Sequence, residues 1–260
     1  MSEPIKLTIA DGVAEMRFNR PDQLNALDGA MAQAFQACVE TVLAEPSVRV
    51  ILMSGAGRSF MAGGDLAAFR AGEDKPAVAR ALIEPAHAGL KRLAASPVLT
   101  LAVGQGPIAG AGVSLLIGTD LAIVAEGATL NLAYARVGAS PDCGGSWALP
   151  RLVGQRRALE IALLCDTVDA AEAQRIGLVN RVVPADALMT EARKLAARLA
   201  GGPPRALGHT KALLRAALDT PLEAQLDAEA ERFRDCAKTD DFSEALEAFF
   251  TKRPAKFSGR

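Results

Sequence analysis

The sequence contains few of the residues from which metal sites and base-stacking surfaces are built. Of its 260 residues, two are histidine, four are cysteine, one is tryptophan and one is tyrosine. No two cysteines form a C-x-x-C pair, so we expect no metal site, and reduced thiols suit a cytoplasmic protein. The net charge of −1 gives no electrostatic basis for binding nucleic acid or an anionic membrane. We therefore predict partners of neither kind.

The sequence also lacks a clear secretory signal and an uninterrupted membrane span. Glu3 lies in the opening segment MSEPIKLTIADG, and no apolar run precedes it. Residues 93–119 carry no charged side chain and are long enough to cross a bilayer. Prolines and glycines interrupt this run, however, and favour a strand, a loop and a buried helix over one continuous helix. We expect it to lie in the core of a globular protein.

What is present is a regular alternation of strand and helix patterns up to residue 184. The segments IKLTI (5–9) and VAEMRF (13–18) flank an Asp-Gly turn, which predicts a hairpin. Helical segments and β-branched runs such as VRVILM (48–53) then follow in turn. This order is typical of a layered α/β core with parallel or mixed strands. The sequence therefore predicts an α/β domain over residues 1–184.

Residues 185–260 are predicted to be helical, with a break at GGPP (201–204) and no strand pattern. Apolar residues recur there at helical spacing. They are Leu222, Leu226, Phe233, Phe242, Leu246, Phe249 and Phe250. Such stripes either cover the core of their own chain or bind another subunit. The pattern alone leaves both interpretations open.

Two glycine-rich segments, 54–66 and 104–116, each follow a predicted strand and lead into a predicted helix. Glycine lets the backbone approach a ligand closely, and a helix N-terminus offers N–H donors with partial positive charge. Two such loops can place two donors around one carbonyl oxygen, as thioester or ester chemistry requires. A dinucleotide site is less suitable, because GQGPIAG lies in mid-chain and contains Pro107. A purely structural role for the glycines is the remaining alternative.

Six segments carry a family resemblance through their order and spacing. They are NRPDQLNAL (19–27), SFMAGGDL (59–66), GPIAGAGVSLLIGTDLAIV (106–124), SPDCGGSWALPRLVG (140–154), AAEAQRIGLVNRVVP (170–184) and KRPAKFSGR (252–260). With them the chain resembles the crotonase (enoyl-CoA hydratase/isomerase) superfamily over nearly its full length. The resemblance implies an α/β fold: a crotonase-like spiral of ββα turns followed by a C-terminal all-helical oligomerisation region. It also implies a homotrimer or a dimer of trimers acting on an acyl-CoA thioester, with CoA as part of the substrate and no other cofactor.

The resemblance assigns roles to individual residues. The backbone N–H groups of Gly64, in A-G-G-D, and of Ala111, in G-A-G, correspond to the two donors to the thioester oxygen. Positions that line CoA in relatives are occupied here by Arg20, Leu24, Ala26, Ala62, Asp65 and Leu66. Phe249 and Lys252 stand at tail positions that reach CoA, in some relatives from a neighbouring subunit.

One departure from the family pattern concerns its hydratases, which add water with two glutamates. Ser114 and Tyr134 occupy those two positions here, and neither is a carboxylate. Water addition needs a base and an acid, and a phenol with an ordinary pKa near ~10 is a poor substitute at neutral pH. Standard hydratase activity is therefore not expected.

A different carboxylate, Asp142, stands in SPDCGG. Isomerases that this chain resembles keep an acid there facing the acyl chain, and a chlorobenzoyl-CoA dehalogenase keeps its nucleophile there. A simple helix N-cap is the alternative. The sequence predicts an acyl-CoA isomerase of the enoyl-CoA or ring-epoxide type, with Asp142 as acid and base and Tyr134 as its helper. Open alternatives are a hydratase with a rearranged site, a thioester hydrolase or dehalogenase, and a non-catalytic acyl-CoA-binding trimer.

Overall fold

The computed structural model describes residues 3–259, which form nine strands and ten α-helices. The strands are β1 (Ile5–Ala10), β2 (Val13–Phe18), β3 (Val50–Gly55), β4 (Leu99–Gly104), β5 (Pro107–Ala109), β6 (Leu121–Ala125), β7 (Thr129–Asn131), β8 (Val168–Asp169) and β9 (Arg181–Val183). The helices are α1 (Gly29–Ala44), α2 (Leu66–Ala71), α3 (Lys75–Ala95), α4 (Ala111–Gly118), α5 (Gly145–Leu164), α6 (Ala170–Arg175), α7 (Leu188–Ala200), α8 (Pro204–Ala216), α9 (Leu222–Ala237) and α10 (Asp240–Phe250).

The core is a six-stranded sheet in the order β1-β2-β3-β4-β6-β9. The predicted hairpin pairs β1 with β2 in antiparallel register, and every other pair in this sheet is parallel. All residues of β3 are buried. This is why residues 50–53, VILM, form a continuous apolar run rather than an alternating one, since helices cover both faces of a parallel sheet.

A second, three-stranded sheet has the order β5-β7-β8. Successive passes of the chain place one strand in each sheet and then a helix: β4, β5 and α4 make one pass, and β6, β7 and α5 make the next. The spiral of ββα turns expected from the sequence is therefore confirmed. The construction matters for function because each pass brings a strand end and a helix start to one side of the molecule.

The helical character of the C-terminal region is confirmed, but its first helix belongs to the core. Leu188, Ala192, Leu195 and Ala196 of α7 pack against β3, β4 and β6, forming a second apolar cluster on the face of the main sheet away from α1. Helix α7, from the region 185–260, thus covers one face of the main sheet, whose strands all lie within residues 1–184. The proposed division of the chain at residue 184 stays a prediction.

Helix α8 is attached to the core by a buried ion pair. The Lys211 ammonium lies 3.1 Å from the Asp120 carboxylate and donates to the carbonyl oxygen of Val98 at 2.7 Å. Arg215 donates to the other carboxylate oxygen of Asp120 at 2.7 Å. Asp120 therefore has a structural role, joining the start of β6 to α8.

The outer helices α9 and α10 leave large apolar side chains exposed. Phe233 of α9 and Phe249 and Phe250 of α10 are each more than 60% exposed, and Leu222 and Leu226 are exposed as well. No helix within residues 3–259 combines the length and the apolarity needed to cross a membrane.

Candidate active site

The two glycine-rich segments lie against each other. Phe60 donates its N–H to the carbonyl oxygen of Gln105 at 2.9 Å, and Ala109 donates to that of Met61 at 3.1 Å. Gly112, in the first turn of α4, approaches Met61 so closely that an added Cβ would lie 2.1 Å from the Met61 carbonyl oxygen. Only glycine permits this approach, so the loop 56–65 is held directly beside the start of α4.

The Gly64 N–H is directed away from the neighbouring chain segment. Leu27 donates to the Gly63 carbonyl oxygen at 2.7 Å and accepts from the Asp65 N–H at 2.9 Å, a short parallel bridge. Because successive N–H groups of an extended segment point in opposite directions, the N–H of Gly64 faces away from Leu27. Within residues 3–259 it has no hydrogen-bond acceptor. It is therefore a free donor in a fixed orientation.

Ala111 is the first residue of α4, and its N–H has no acceptor within the helix. The first bond of the helix runs from the Ser114 N–H to the Gly110 carbonyl oxygen at 3.1 Å. Gly110 has φ +48°, and a Cβ there would lie 3.6 Å from the Cα of Gly63. The segments that carry the Gly64 and Ala111 N–H groups are therefore in contact, and the helix dipole favours negative charge at the start of α4.

The residues expected along CoA gather around these donors. Leu24 accepts the N–H of Ala62 at 3.0 Å, so loop 20–28 lies against loop 62–65. The Arg20 guanidinium donates to Asp65 at 3.0 Å and to the carbonyl oxygen of Ala26 at 2.5 Å. The same guanidinium contacts Asp28 at 3.1 Å. Arg20 thus joins the two loops through contacts within the chain, and contact of these residues with CoA stays a prediction.

Asp65 also fixes the helix that follows. Its Oδ1 accepts the N–H groups of Ala67 and Ala68, so it caps α2 while Oδ2 pairs with Arg20. Leu66, the first residue of α2, is 57% exposed. It therefore presents an apolar side chain beside Gly64.

A chain of hydroxyl groups leads to the predicted catalytic carboxylate. Tyr134, on a short 3-10 turn after β7, donates its phenolic O–H to Oδ1 of Asp142. Its oxygen also lies 3.1 Å from the Ser114 hydroxyl. Since the only phenolic proton goes to Asp142, Ser114 is the donor in this second bond. Ser114 is fully buried on α4. Ser114 and Tyr134, which stand at the positions of the two hydratase glutamates, therefore form a hydrogen-bonded chain that ends on the Asp142 carboxylate.

The environment keeps the neighbouring groups of Asp142 protonated. Burial, together with the negative charge of Asp142, raises the pKa of Tyr134 well above its ordinary value. The same two causes raise the pKa of the Cys143 thiol. The phenol thus remains a hydrogen-bond donor, and Cys143 is not a thiolate nucleophile at neutral pH. A role of Asp142 in proton transfer stays a prediction.

The N-cap interpretation of Asp142 is wrong. Helix α5 begins at Gly145, its N-cap residue is Gly144 at φ +80°, and no side chain caps it. The Asp142 side chain is bound by Tyr134 rather than by the helix. The ring of Tyr134 lies beside Gly110, where an added Cβ would be 4.0 Å from its Cζ.

Known proteins share this architecture. The sequence model of the enoyl-CoA hydratase/isomerase family matches residues 8–260. The chain belongs to this family. It is 37% identical to a protein of Rhodobacter capsulatus named "Probable enoyl-CoA hydratase", over 98% of both chains. It is 34% identical to the 1,2-epoxyphenylacetyl-CoA isomerase of Escherichia coli, over 100% of both. A solved enoyl-CoA hydratase from Bacillus anthracis superposes with a TM-score of 0.93 at 28% identity, covering 99% of this chain and 100% of that one.

Two residues that bond to segments of the candidate site were missed by the sequence analysis. Asn25, fully buried at φ +57°, donates to the carbonyl oxygens of Ala56 and Ser59 and accepts the N–H of Arg20. The position of Asn25 in a predicted loop could have indicated this role, because asparagine tolerates a left-handed backbone and its side chain bonds to nearby backbone groups. His87 of α3 accepts the N–H of Cys143 at 3.1 Å. No local pattern could have shown this contact.

Two predicted CoA contacts lie apart from the other site residues. Phe249 and Lys252 stand at the end of α10, which packs mainly against α9 in the part of the chain that the structure describes. Phe249 is 77% exposed. A contact of these residues with CoA therefore stays a prediction.

Proposed function

We propose that this enoyl-CoA hydratase/isomerase family member is an acyl-CoA isomerase that shifts a double bond. The observation that carries the proposal is the hydrogen-bonded chain Ser114–Tyr134–Asp142. Both positions that the resemblance equates with hydratase glutamates hold hydroxyl groups: Tyr134 donates to the Asp142 carboxylate, and Ser114 donates to the Tyr134 oxygen. The similarity to 1,2-epoxyphenylacetyl-CoA isomerase supports the proposal, whereas the hydratases among the relatives keep the hydratase reaction as the second candidate.

In the proposed reaction the thioester oxygen accepts the N–H groups of Gly64 and Ala111. Asp142 removes a proton from one carbon of the acyl chain, and the electron pair moves into the conjugated system, where the two N–H donors stabilise the resulting enolate oxygen. Asp142 then returns the proton to another carbon, and the double bond has moved. Nothing is oxidised or reduced, so we propose no cofactor beyond the CoA of the substrate.

A substrate panel tests this proposal. The purified protein is incubated with 3-enoyl-CoA and 2-enoyl-CoA thioesters of several chain lengths and with a ring-epoxide acyl-CoA, and products are separated by chromatography. We expect double-bond migration or ring-epoxide isomerisation to be the fastest reaction. Efficient hydration of 2-enoyl-CoA without migration would identify a hydratase with a rearranged site. Release of free CoA would identify a hydrolase, and binding without turnover a non-catalytic acyl-CoA-binding protein.

We expect Tyr134→Phe to reduce kcat by less than Asp142→Asn does. The phenol donates to Asp142 and stays protonated, so its loss weakens the orientation of the carboxylate without removing the base. A reduction on the order of tenfold is expected, below the 10²-fold typical of losing a general base. Steady-state rates of both variants on the best substrate of the panel measure this order. A larger loss in Tyr134→Phe than in Asp142→Asn would make Tyr134 the proton-transferring group.

We also propose that the chain forms a homotrimer or a dimer of trimers through its C-terminal helices. The exposed apolar residues of α9 and α10 support this, since large apolar surfaces seldom remain exposed on a stable monomer. We expect multi-angle light scattering at micromolar concentration to give three or six times the chain mass of 27.1 kDa. A mass equal to one chain would contradict the proposal.

The free state of all four cysteines supports a reducing compartment, and we propose the cytoplasm.

A further inference from the structure

We infer that His87 is a positioning residue that holds the turn on which Asp142 stands. This inference rests on the isomerase proposal for the role of Asp142, but the contact itself does not. His87 lies in the middle of α3, fifty-five residues before Asp142 in the sequence. Its Nε2 accepts the backbone N–H of Cys143, the residue after Asp142, at 3.1 Å.

The turn from Asp142 to Gly144 has a backbone conformation that is unfavourable for residues other than glycine. Cys143 has φ +49° and Gly144 has φ +80°, so two consecutive residues are left-handed, and the first of them is not glycine. L-residues with a Cβ rarely adopt this conformation and keep it only where surrounding contacts hold it. Cys143 is 2% exposed, which places its environment out of reach of bulk water.

The bond from His87 joins the backbone of this turn to a different element, and the Tyr134 hydroxyl holds its Asp142 side chain. The Asp142 carbonyl oxygen accepts the Gly145 N–H at 3.0 Å, but that bond lies within the turn. The Cys143 N–H would lose its acceptor without His87, and a buried N–H without an acceptor is strongly unfavourable. We therefore expect the turn to shift when the acceptor is removed, and Asp142 to shift with it.

The geometry also defines the form of the imidazole. Because Nε2 accepts the Cys143 N–H, this nitrogen carries no proton of its own in the hydrogen bond. A nitrogen occupied by the Cys143 N–H does not exchange a proton with the substrate. We therefore assign His87 a positioning role that acts through Asp142.

Three variants test the inference. Glutamine places an amide oxygen at about the reach of Nε2, asparagine places it at the reach of Nδ1, and leucine offers no acceptor. We expect His87→Asn and His87→Leu to lose on the order of 10²-fold in kcat, the loss typical of a misplaced catalytic group, with KM within a few-fold of wild type. His87→Gln should recover most of this loss. Thermal unfolding and acetyl-CoA calorimetry identify any variant that fails to fold, and the glutamine–asparagine pair remains informative if leucine does.

A second readout separates this inference from the function proposal. Hydrogen exchange of the Cys143 amide, followed by NMR or on the peptide that contains it, should accelerate at least tenfold in His87→Asn and stay near wild type in His87→Gln, since exchange follows local opening. This measurement is valid whichever reaction the protein catalyses. Equal losses of kcat in the glutamine and asparagine variants, or unchanged exchange in both, would overturn the inference. Failure of the isomerase assay alone would overturn only the proposed function.

Discussion

Replacing Asp142 with asparagine is expected to lower kcat for double-bond migration by at least about 10²-fold, the lower end for losing a general acid–base group. Asparagine has nearly the same size, and its carbonyl oxygen can still accept the Tyr134 hydroxyl that Asp142 accepts now. The variant therefore keeps the packing of the site and loses only the group that takes up the proton. Steady-state kinetics on the best substrate of the panel measure the effect.

Binding provides the control for this variant. Asp142 belongs to the acyl-chain end of the proposed site, so calorimetric affinity for CoA should change little, and the loss should appear in kcat rather than KM. Asp166→Asn removes one carboxylate from an exposed position and should leave kcat at the wild-type value. An Asp142→Asn enzyme with full turnover would exclude Asp142 as the base and with it the proposed mechanism.

Ala111→Pro is expected to lower kcat/KM by about 10²–10³-fold, the usual effect of removing one oxyanion donor. Proline removes the backbone N–H that we assign to the thioester oxygen. Ala111 is the first residue of α4, where proline is well tolerated because the N–H there has no partner in the helix. The variant thus tests a backbone donor at little cost to the fold.

Ala111→Gly is the matched variant for this experiment. It retains the N–H and should lose less than tenfold in kcat/KM, and thermal unfolding of both variants checks that α4 is intact. A proline variant with rates close to those of the glycine variant would show that the Ala111 N–H does not bind the reacting oxygen. The Gly64 N–H would then have to act with a different partner.

Much of the fold followed from local patterns in the sequence. The Asp-Gly turn predicted the hairpin of β1 and β2, and the β-branched, largely apolar run VRVILM predicted the strand β3. These predictions succeeded because turn chemistry and hydrophobic period depend on neighbouring residues. The role of α7 was not predictable in this way. Its amphipathic pattern shows that one face is covered, but not that the covering surface is the main sheet.

In the candidate site, too, some features follow from the local sequence and others from the packing of the fold. The sequence by itself determined that two glycine-rich segments each lead from a strand into a helix, and the family resemblance assigned roles to Asp142, Gly64 and Ala111 that stay predictions. Only the tertiary structure decided how they work together. It placed the Tyr134 hydroxyl on Asp142, brought His87 to the Cys143 N–H and engaged Arg20 with Asp65. Each of these contacts depends on the relative placement of separate passes of the spiral, and packing of the whole core sets that placement rather than any local pattern.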